Sequence, residues 1–520
     1  MKEKVLKIAA LVLWILQLLA QSILVAAVYG LHMLPGIYVL LLGIILLILW
    51  IGGGLLLLLP GKGKLWRQIT AMVLSTLLIA GGIAGCLAVD KWHETMDAIT
   101  SIPVTEHTVA VYVLAEKPAV ELEDGKNFTY GILENYQSQQ INFALDEMEA
   151  KLGCAVTVRS FASVPELIDS LYEKRIDAIV IHGAYFQILE ENEVYLDFEE
   201  KCRVLHVVNL PETTFPDATD PTTEPTTEPT TEPATEPTTE PTTEPTTEAT
   251  TEPEPAPYIE PFVIYLSGSD TRSEYLTVSR SDVNILLAVN PQTKQILLLN
   301  TPRDFYVENP AGNWAMDKLT HCGIYGVDCS VKALERLYGV EIDHYAQLNF
   351  TGFQTMIDAL GGITVYSDQA FTTYHGGYII EKGDNDMHGH QALCYIRERY
   401  AFLTGDNERG RNQMKVLKAV IDKLSVGNLV KNYGAIMDSL QGMLSTDMTA
   451  EDIAQLVKMQ VADNTGWNVV TYAVSGSGAK AETYSMPGWN LYVIHGHEKK
   501  IAEGTRLLQC VLNGEILPNN

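Results

Sequence analysis

The chain opens on three uninterrupted apolar runs, residues 8–28, 37–59 and 69–89, none of which contains a charged side chain. Each has about the 20 residues that an α-helix rising 1.5 Å per residue needs to cross bilayer hydrocarbon. Three transmembrane helices are therefore predicted over residues 1–90. Beyond them the pattern changes. Residues 109–114, 155–160 and 178–181 read as strands, and 139–152 and 164–174 as amphipathic helices, which predicts a small α/β domain over 104–210. Residues 211–257 are mostly Thr, Glu and Pro, with Thr-Thr-Glu-Pro repeating at a period of four. No period gathers an apolar face there, so the segment is predicted to be a disordered stalk, with a reach of roughly 140 Å if extended. It reads equally as a spacer that holds a head out into a cell wall and as a passive linker. From 258 to 520 a second α/β domain is predicted. Its strands are placed at 262–266, 283–289, 295–300, 345–349 and 362–365, and its helices at 331–338, 353–360, 390–395 and 408–425.

The positive charges orient the membrane part. Lys2, Lys4 and Lys7 precede the first run, and Lys62, Lys64 and Arg67 lie between the second and third, whereas 30–36 holds no Lys or Arg. By the positive-inside rule the N-terminus is cytoplasmic, and everything beyond Val89 is outside the cell. With 36 basic against 64 acidic residues the net charge is −28, which excludes nucleic acid as an expected partner. Ile83-Ala84-Gly85-Cys86 has the look of a lipoprotein cleavage box. It follows a third apolar run rather than an N-terminal signal, so Cys86 reads as a small apolar residue in a helix. Cys322 and Cys329 are read as small loop residues, with a disulfide between them left open. No cysteine stands at metal-ligand spacing from a histidine.

Candidate chemistry concentrates in the last domain, where Arg and Asp recur at element ends. Arg280-Ser281-Asp282 precedes the strand 283–289, and the strand 295–300 runs into Thr301-Pro302-Arg303-Asp304. Ligands bind at strand carboxyl ends in open α/β sheets, and Pro302 stops the strand just before Arg303. Arg397-Glu398-Arg399 follows a short helical stretch. Its two arginines point the same way if the tripeptide is extended and splay by about 200° if it is helical. Asp406-Asn407-Glu408-Arg409 opens a helix on which Arg409 and Gln413 share a face. Guanidinium groups gathered in an acidic protein repel one another unless a polyanion lies between them, and they grip phosphate in two-pronged fashion. Asp270 and Asp282 are placed to hold a divalent cation on the same phosphates. The residues alone leave plainer readings open: Asp406 as a helix N-cap, and Arg303–Asp304 as a surface ion pair.

The stretch 262–424 resembles the LytR–CpsA–Psr proteins of Gram-positive envelopes. The matching text runs from Ile264-Tyr265-Leu266-Ser267-Gly268-Ser269-Asp270 through Arg280-Ser281-Asp282 and Thr301-Pro302-Arg303-Asp304. Asp317-Lys318-Leu319, Asn349-Phe350 and Ala359-Leu360-Gly361-Gly362 follow. Tyr395-Ile396-Arg397-Glu398-Arg399-Tyr400 and the segment from Gly405-Asp406 to Gln413 complete it. The resemblance implies an α/β fold: a mixed-sheet catalytic head flanked by helices, preceded by the small α/β accessory domain and the three membrane helices. It also implies a phosphotransferase that moves a polyprenyl-pyrophosphate-linked glycan, teichoic acid or capsular polysaccharide, onto a peptidoglycan acceptor. In that picture Arg303, Arg397, Arg399, Asp406, Arg409 and Gln413 are catalytic. Arg280, Asp304, Lys318 and Arg411 help to bind substrate, and Asp270 and Asp282 hold Mg2+ or Mn2+. Many members carry Arg-Gln where this chain has Asn412-Gln413, so one cation is expected to be either missing or supplied by Arg411. Three membrane helices and an extra external domain look like the capsule-type branch. The readings from other classes are a non-catalytic binder of lipid-linked polymers and a regulator of envelope biosynthesis. The arginine set combined with the metal-type aspartates favours the enzyme.

Overall fold

The computed structural model describes residues 2–58, 64–100, 108–134, 138–182, 189, 195, 197–210, 259–269, 279–402, 405–424, 426–463 and 465–518. The Thr/Glu/Pro segment 211–257 and Asp270 lie outside the described residues. The three apolar runs are helices, α1 (Lys2–Gly30), α2 (Gly36–Leu58) and α3 (Lys64–Thr100). All three are long and apolar enough to cross a membrane. They pack on one another, with Trp14 and Trp50 stacked at 4.3 Å between ring centroids.

α3 departs from the sequence reading. It continues past Val89 to Thr100 as one 37-residue helix. Nothing between Asp90 and Thr100 breaks a helix, and Val89, Trp92, Met96 and Ile99 recur at helical spacing on a face that is buried. Trp92, Met96 and Ile99 join a core shared with the C-terminal domain.

The accessory domain is a five-stranded sheet in the order β3-β2-β4-β1-β5. Its strands are β1 (Thr108–Leu114), β2 (Thr129–Leu133), β3 (Thr157–Phe161), β4 (Ala178–His182) and β5 (Cys202–Asn209). Helices α4 (Ser138–Leu152) and α5 (Val164–Tyr172) complete it. Ser163 caps α5 by accepting from Glu166 N at 3.3 Å. Sequence reading missed β2, a short strand interrupted by Gly131, and β5, whose alternation is broken by a bulge at Leu205.

The C-terminal domain is built on a six-stranded mixed sheet in the order β16-β11-β6-β7-β8-β17. These strands are β6 (Phe262–Ser269), β7 (Ser281–Asn290), β8 (Gln295–Asn300), β11 (His344–Asn349), β16 (Leu444–Thr446) and β17 (Asn468–Ala473). β11 runs parallel to β6 and β17 parallel to β8, while β7 is antiparallel to both of its neighbours. The carboxyl ends of β6, β8 and β11 therefore share one edge with the start of β7, which brings Ser269, Asn300, Asn349 and Asp282 together.

β8 shows how the layers form. Every residue of Gln295–Asn300 is buried, as expected of a strand covered on both faces. Leu297 and Leu299 enter the core under α7 (Val327–Tyr338) and α13 (Glu498–Leu512). Ile296 and Leu298 enter the opposite core with Met414 of α10 (Gly405–Lys423) and Leu456 of α12 (Ala450–Asp463). Each such side chain contributes about 1.5–3 kcal/mol on burial.

The remaining core lies beside the sheet. It joins α3 to α8 (Phe350–Ala359), α9 (Gly389–Arg397) and α11 (Val426–Leu440). It also takes in the ribbon of β12 (Ile363–Ser367) and β15 (Gly383–Met387). The strand expected at 362–365 is thus β12, and it belongs to this ribbon rather than to the main sheet. β13 (Phe371–Thr372) pairs with β14 (Ile379–Ile380). β9 (Tyr306–Asn309) pairs with β10 (Ala315–Lys318), which leads into the short α6 (Leu319–Cys322). β18 (Gly476–Thr483) and β19 (Met486–Gly496) form a hairpin. Met486 and Leu491 of that hairpin pack into the α5 face of the accessory domain, with Tyr195 6.0 Å from Trp489.

Two contacts fix the C-terminal domain close to the membrane helices. Lys91 of α3 is ion-paired with Asp438 of α11, and the Tyr433 hydroxyl donates to the carbonyl of Ala88 at 2.8 Å. Leu31 and Met33, in the turn between α1 and α2, pack against the same core. The C-terminal domain therefore packs directly on the end of α3.

Candidate active site

The edge where β6, β8 and β11 end collects Arg280, Asp282, Arg303, Asp304, Lys318, Arg409 and Gln413 of the residues that the sequence singled out. β8 stops at Asn300 and the chain turns sharply. Thr301 N donates to Asn284 O at 2.9 Å, and Phe305 N to Pro302 O at 3.0 Å. That turn aims Arg303 back across the start of β7. Its Nη1 meets Asp282 Oδ1 at 2.9 Å, and its Nε lies 3.6 Å from Asp304 Oδ2. Lys318 Nζ reaches the other oxygen of Asp304 at 3.1 Å. The Arg303, Asp304 and Lys318 side chains are 13%, 5% and 6% exposed, so the bland reading of a surface ion pair does not hold.

Arg280 and Arg409 complete the cluster from the chain just before β7 and from α10. Burial works to raise the Asp282 carboxyl, but the charges of Arg303, Arg280 and Arg409 outweigh it and hold it below the usual carboxylate range. Among the described residues, four cationic side chains thus surround two carboxylates. This is a concentration of positive charge in a protein whose net charge is −28.

α10 enters with Arg409 and Gln413 on its buried face, as their spacing predicts, and Gln413 Oε1 accepts from Asn300 Nδ2 at 3.3 Å. The helix comes very close to the strand end: a Cβ added at Gly410 would stand 2.1 Å from Asn300 Oδ1. Asn412 is buried on the same side. Arg411 is not. It is half exposed and ion-paired at 2.6 Å with Glu408, so it does not supply the cation that Asn412 leaves out. Two helical positions from Arg409 is about 200° around the helix, which turns it away. Asp406 falls inside the first turn of α10, two residues past the position a cap would take. Its side chain lies outside the described residues.

Arg397 is the last residue of α9, and Arg399 lies two residues beyond it. The helix ends at Arg397, and Glu398 after it is extended (φ −68°, ψ 129°) with its side chain buried. The Arg397 guanidinium lies 4.9 Å from the ring centroid of Phe350, the residue after β11, which puts it on the same sheet edge. Arg399 Nη2 donates to the Tyr400 hydroxyl at 2.8 Å, and its side-chain root packs beside Gly405 at the start of α10.

Some supporting residues were not legible in the sequence. Asp317 is fully buried and binds His321 Nδ1 at 2.7 Å, Asn309 Nδ2 at 3.0 Å, Ser485 N at 3.1 Å and the Lys318 backbone N at 2.8 Å. It pins the loop that aims Lys318, using a serine that lies 168 residues away in the chain. Beneath the cluster, Tyr265 donates to Asn284 Oδ1 at 2.7 Å, and Ser267 and Ser281 hydroxyls meet at 2.9 Å. Cys322 and Cys329 are both buried and carry free thiols.

Of the two carboxylates expected to bind metal, Asp282 lies in the cluster and Asp270 is outside the described residues. Among the described residues no group of three or more His, Cys, Asp or Glu side chains converges. Asp282 still fits a divalent cation in one respect, since it is held ionised and offers hard oxygen donors.

The Asp282 shift carries a sign that can be tested. Its folded pKa is below the unfolded value of about 3.9, so its stabilisation is complete above roughly pH 4 and drains away as pH falls through the folded value. Asp282→Asn should therefore cost about 1.5–3 kcal/mol between pH 5 and 8, and that cost should shrink below pH 4. Chemical denaturation across this range measures it. A cost that stays constant down to pH 2 would contradict the charge-based origin.

The comparisons with known proteins bear on this region. A model of the LytR_cpsA_psr family matches residues 230–500. A protein of Oceanobacillus iheyensis described as polyisoprenyl-teichoic acid–peptidoglycan teichoic acid transferase TagU is 35% identical over 222 residues. The match covers 41% of this chain and 67% of that protein. A protein of the same description from Enterococcus faecalis is 33% identical over 199 residues, covering 38% of this chain and 65% of its own length. Among solved structures, one described as TagT bound to LI-WTA aligns with 27% identity and a TM-score of 0.40, covering 49% of this chain and 91% of that one.

Proposed function

The chain belongs to the LytR_cpsA_psr family, and from that premise we propose that it is a phosphotransferase of cell-wall assembly. It moves a polyprenyl-pyrophosphate-linked glycopolymer, of the teichoic acid or capsular type, onto peptidoglycan. The observation that carries this reading is the buried set of Arg280, Arg303, Arg409 and Lys318 around Asp282 and Asp304 at the strand ends. Such an excess of fixed positive charge calls for a polyanion, and preorganised donors favour a transition state in which negative charge grows.

In the proposed reaction a muramic acid hydroxyl attacks the phosphorus nearer the glycan. The bond from that phosphorus to the bridging oxygen breaks, polyprenyl monophosphate leaves, and solvent takes the hydroxyl proton. Arg303 and Arg409 grip the pyrophosphate, Arg397 and Arg399 close its flank, and Gln413, held by Asn300, orients it. Lys318 and Arg280 balance the charge of Asp304 and Asp282. A magnesium or manganese ion held by Asp282 with Asp270 would neutralise non-bridging phosphate oxygens.

The orientation belongs to the same proposal. Lys2, Lys4 and Lys7 stay in the cytoplasm, and the head works at the outer membrane face. Leu31, Met33 and the end of α3 all pack against the head, which supports one shared face.

The test is the metal dependence of transfer by the full-length protein in lipid nanodiscs. Asp282→Ala and Asp270→Ala should each lower the rate and flatten its response to added magnesium or manganese. If both variants keep the wild-type metal response, these residues do not hold the ion. If the wild type neither binds nor turns over a polyprenyl-pyrophosphate glycan, the transferase reading falls.

A further inference from the structure

Beside Arg399 stand two exposed aromatic rings that the reaction described above does not use. Tyr374 and Tyr400 are 68% and 60% exposed, and their ring centroids are 4.6 Å apart with the planes tilted by 47°. Large apolar faces held open to water cost solvation energy, and here they are held in place deliberately. The Glu398 carboxylate, 1% exposed, accepts from the backbone N of Tyr374 and, at 2.9 Å, from that of Ala401. One buried acid between two site arginines therefore fixes the backbone on which both rings ride.

The β13–β14 turn is braced further. Tyr378 N donates to Thr373 Oγ1 at 2.9 Å, and Gly376 and Gly377 take the left-handed backbone (φ 74° and 63°) that closes it. Arg399 links the rings to the site: its guanidinium lies 4.8 Å from the Tyr400 ring centroid and bonds the Tyr400 hydroxyl.

We propose that Tyr374 and Tyr400 form a sugar-stacking platform, which receives the pyranose joined to the pyrophosphate of the donor. This rests on the phosphotransferase reading of the arginine cluster. The axial C–H face of a pyranose is apolar and slightly positive, and it matches the negative face of an aromatic ring. Tyrosine adds a hydroxyl for the sugar rim at little rotamer cost. A ring that touches a phosphate-gripping arginine lies where the first sugar attached to that phosphate must lie. The exposure of both faces leaves room for the polymer to continue into solvent.

The experiment uses full-length protein in nanodiscs, with a synthetic polyprenyl-pyrophosphate disaccharide as donor and peptidoglycan oligomers as acceptor. Sugar-free polyprenyl pyrophosphate serves as a competitor. Tyr374→Ala and Tyr400→Ala should each raise the donor KM at least about tenfold. They should leave the acceptor KM and the inhibition constant of the sugar-free competitor unchanged. Tyr400→Phe should keep the donor KM within about threefold, because the stacking face remains.

A double alanine variant with wild-type donor KM would overturn the platform. So would an equal loss of affinity for the sugar-free competitor, which would make the rings part of lipid or phosphate binding. A rise in acceptor KM alone would assign the rings to peptidoglycan and refute the donor assignment. If the wild type binds neither the disaccharide lipid nor its sugar-free form, the phosphate-site reading itself has failed, and the platform falls with it.

Discussion

Replacing Arg303 with alanine should reduce transfer of the lipid-linked glycan by at least about 10²-fold. Removing one preorganised donor from a developing charge costs about 3–4 kcal/mol of transition-state stabilisation. Arg303 is the cation that touches both carboxylates of the cluster, Asp282 at 2.9 Å and Asp304 at 3.6 Å. It is anchored by the turn that ends β8. Arg303→Lys should recover little, because an ammonium lacks the planar fork that spans two oxygens. Folding should survive the alanine change, since Asp282 keeps Arg280 and Arg409 nearby and Asp304 keeps Lys318. Arg399→Ala should show a loss of similar size. Melting curves and single-turnover rates separate the two effects. Folded alanine variants with wild-type rates would remove these arginines from the mechanism.

The second large effect concerns where the head sits. Trp92→Ala should weaken docking of the head on α3 by about 3–5 kcal/mol, the usual cost of removing a buried indole from a packed core. Trp92 is 6% exposed and lies with Met96 and Ile99 against the core that holds Phe350, Ile436 and Met437. The Lys91–Asp438 ion pair beside it is too exposed to compensate, and the bond from Gln441 Nε2 to Thr95 Oγ1 at 3.2 Å is a single neutral one worth about 1 kcal/mol. Hydrogen exchange in α11 should accelerate in the variant, while exchange in β7 and β8 should not change. Unaltered protection in α11 would mean that α3 does not hold the head. Because Phe350 also carries Arg397, loosening α3 should lower activity on membrane-embedded donor more than on a short-chain soluble one.

Much of this architecture can be read directly from the chain, and the failures have physical causes. The membrane helices follow from length and absence of charge. β6, β7, β8 and β11 follow from apolar runs that are bounded by turns, and Arg280, Asp282, Arg303, Asp304 and Arg409 from their places at strand and helix ends. The extension of α3 was also written in the sequence, as Val89, Trp92, Met96 and Ile99 at helical spacing. It passed unnoticed because its partner surface lies more than 250 residues further along. Arg411 was misassigned by counting cations without counting degrees around the helix. The roles of Asn300, Gly410, Asp317 and Glu398 left no local signal, since each acts on a group that only tertiary packing brings near. Glu398, between Arg397 and Arg399 in the chain, is the buried acid that sets the loop beside them.

The central claim is that the phosphate nearer the glycan travels with the glycan. The measurement that tests it most directly uses a polyprenyl-pyrophosphate glycan labelled in that phosphate, with the full-length protein and peptidoglycan. Label and glycan should become covalently joined to peptidoglycan in equal amounts, with one unlabelled polyprenyl monophosphate released for each. Label that stays on the lipid, or glycan joined to peptidoglycan without it, would contradict the account.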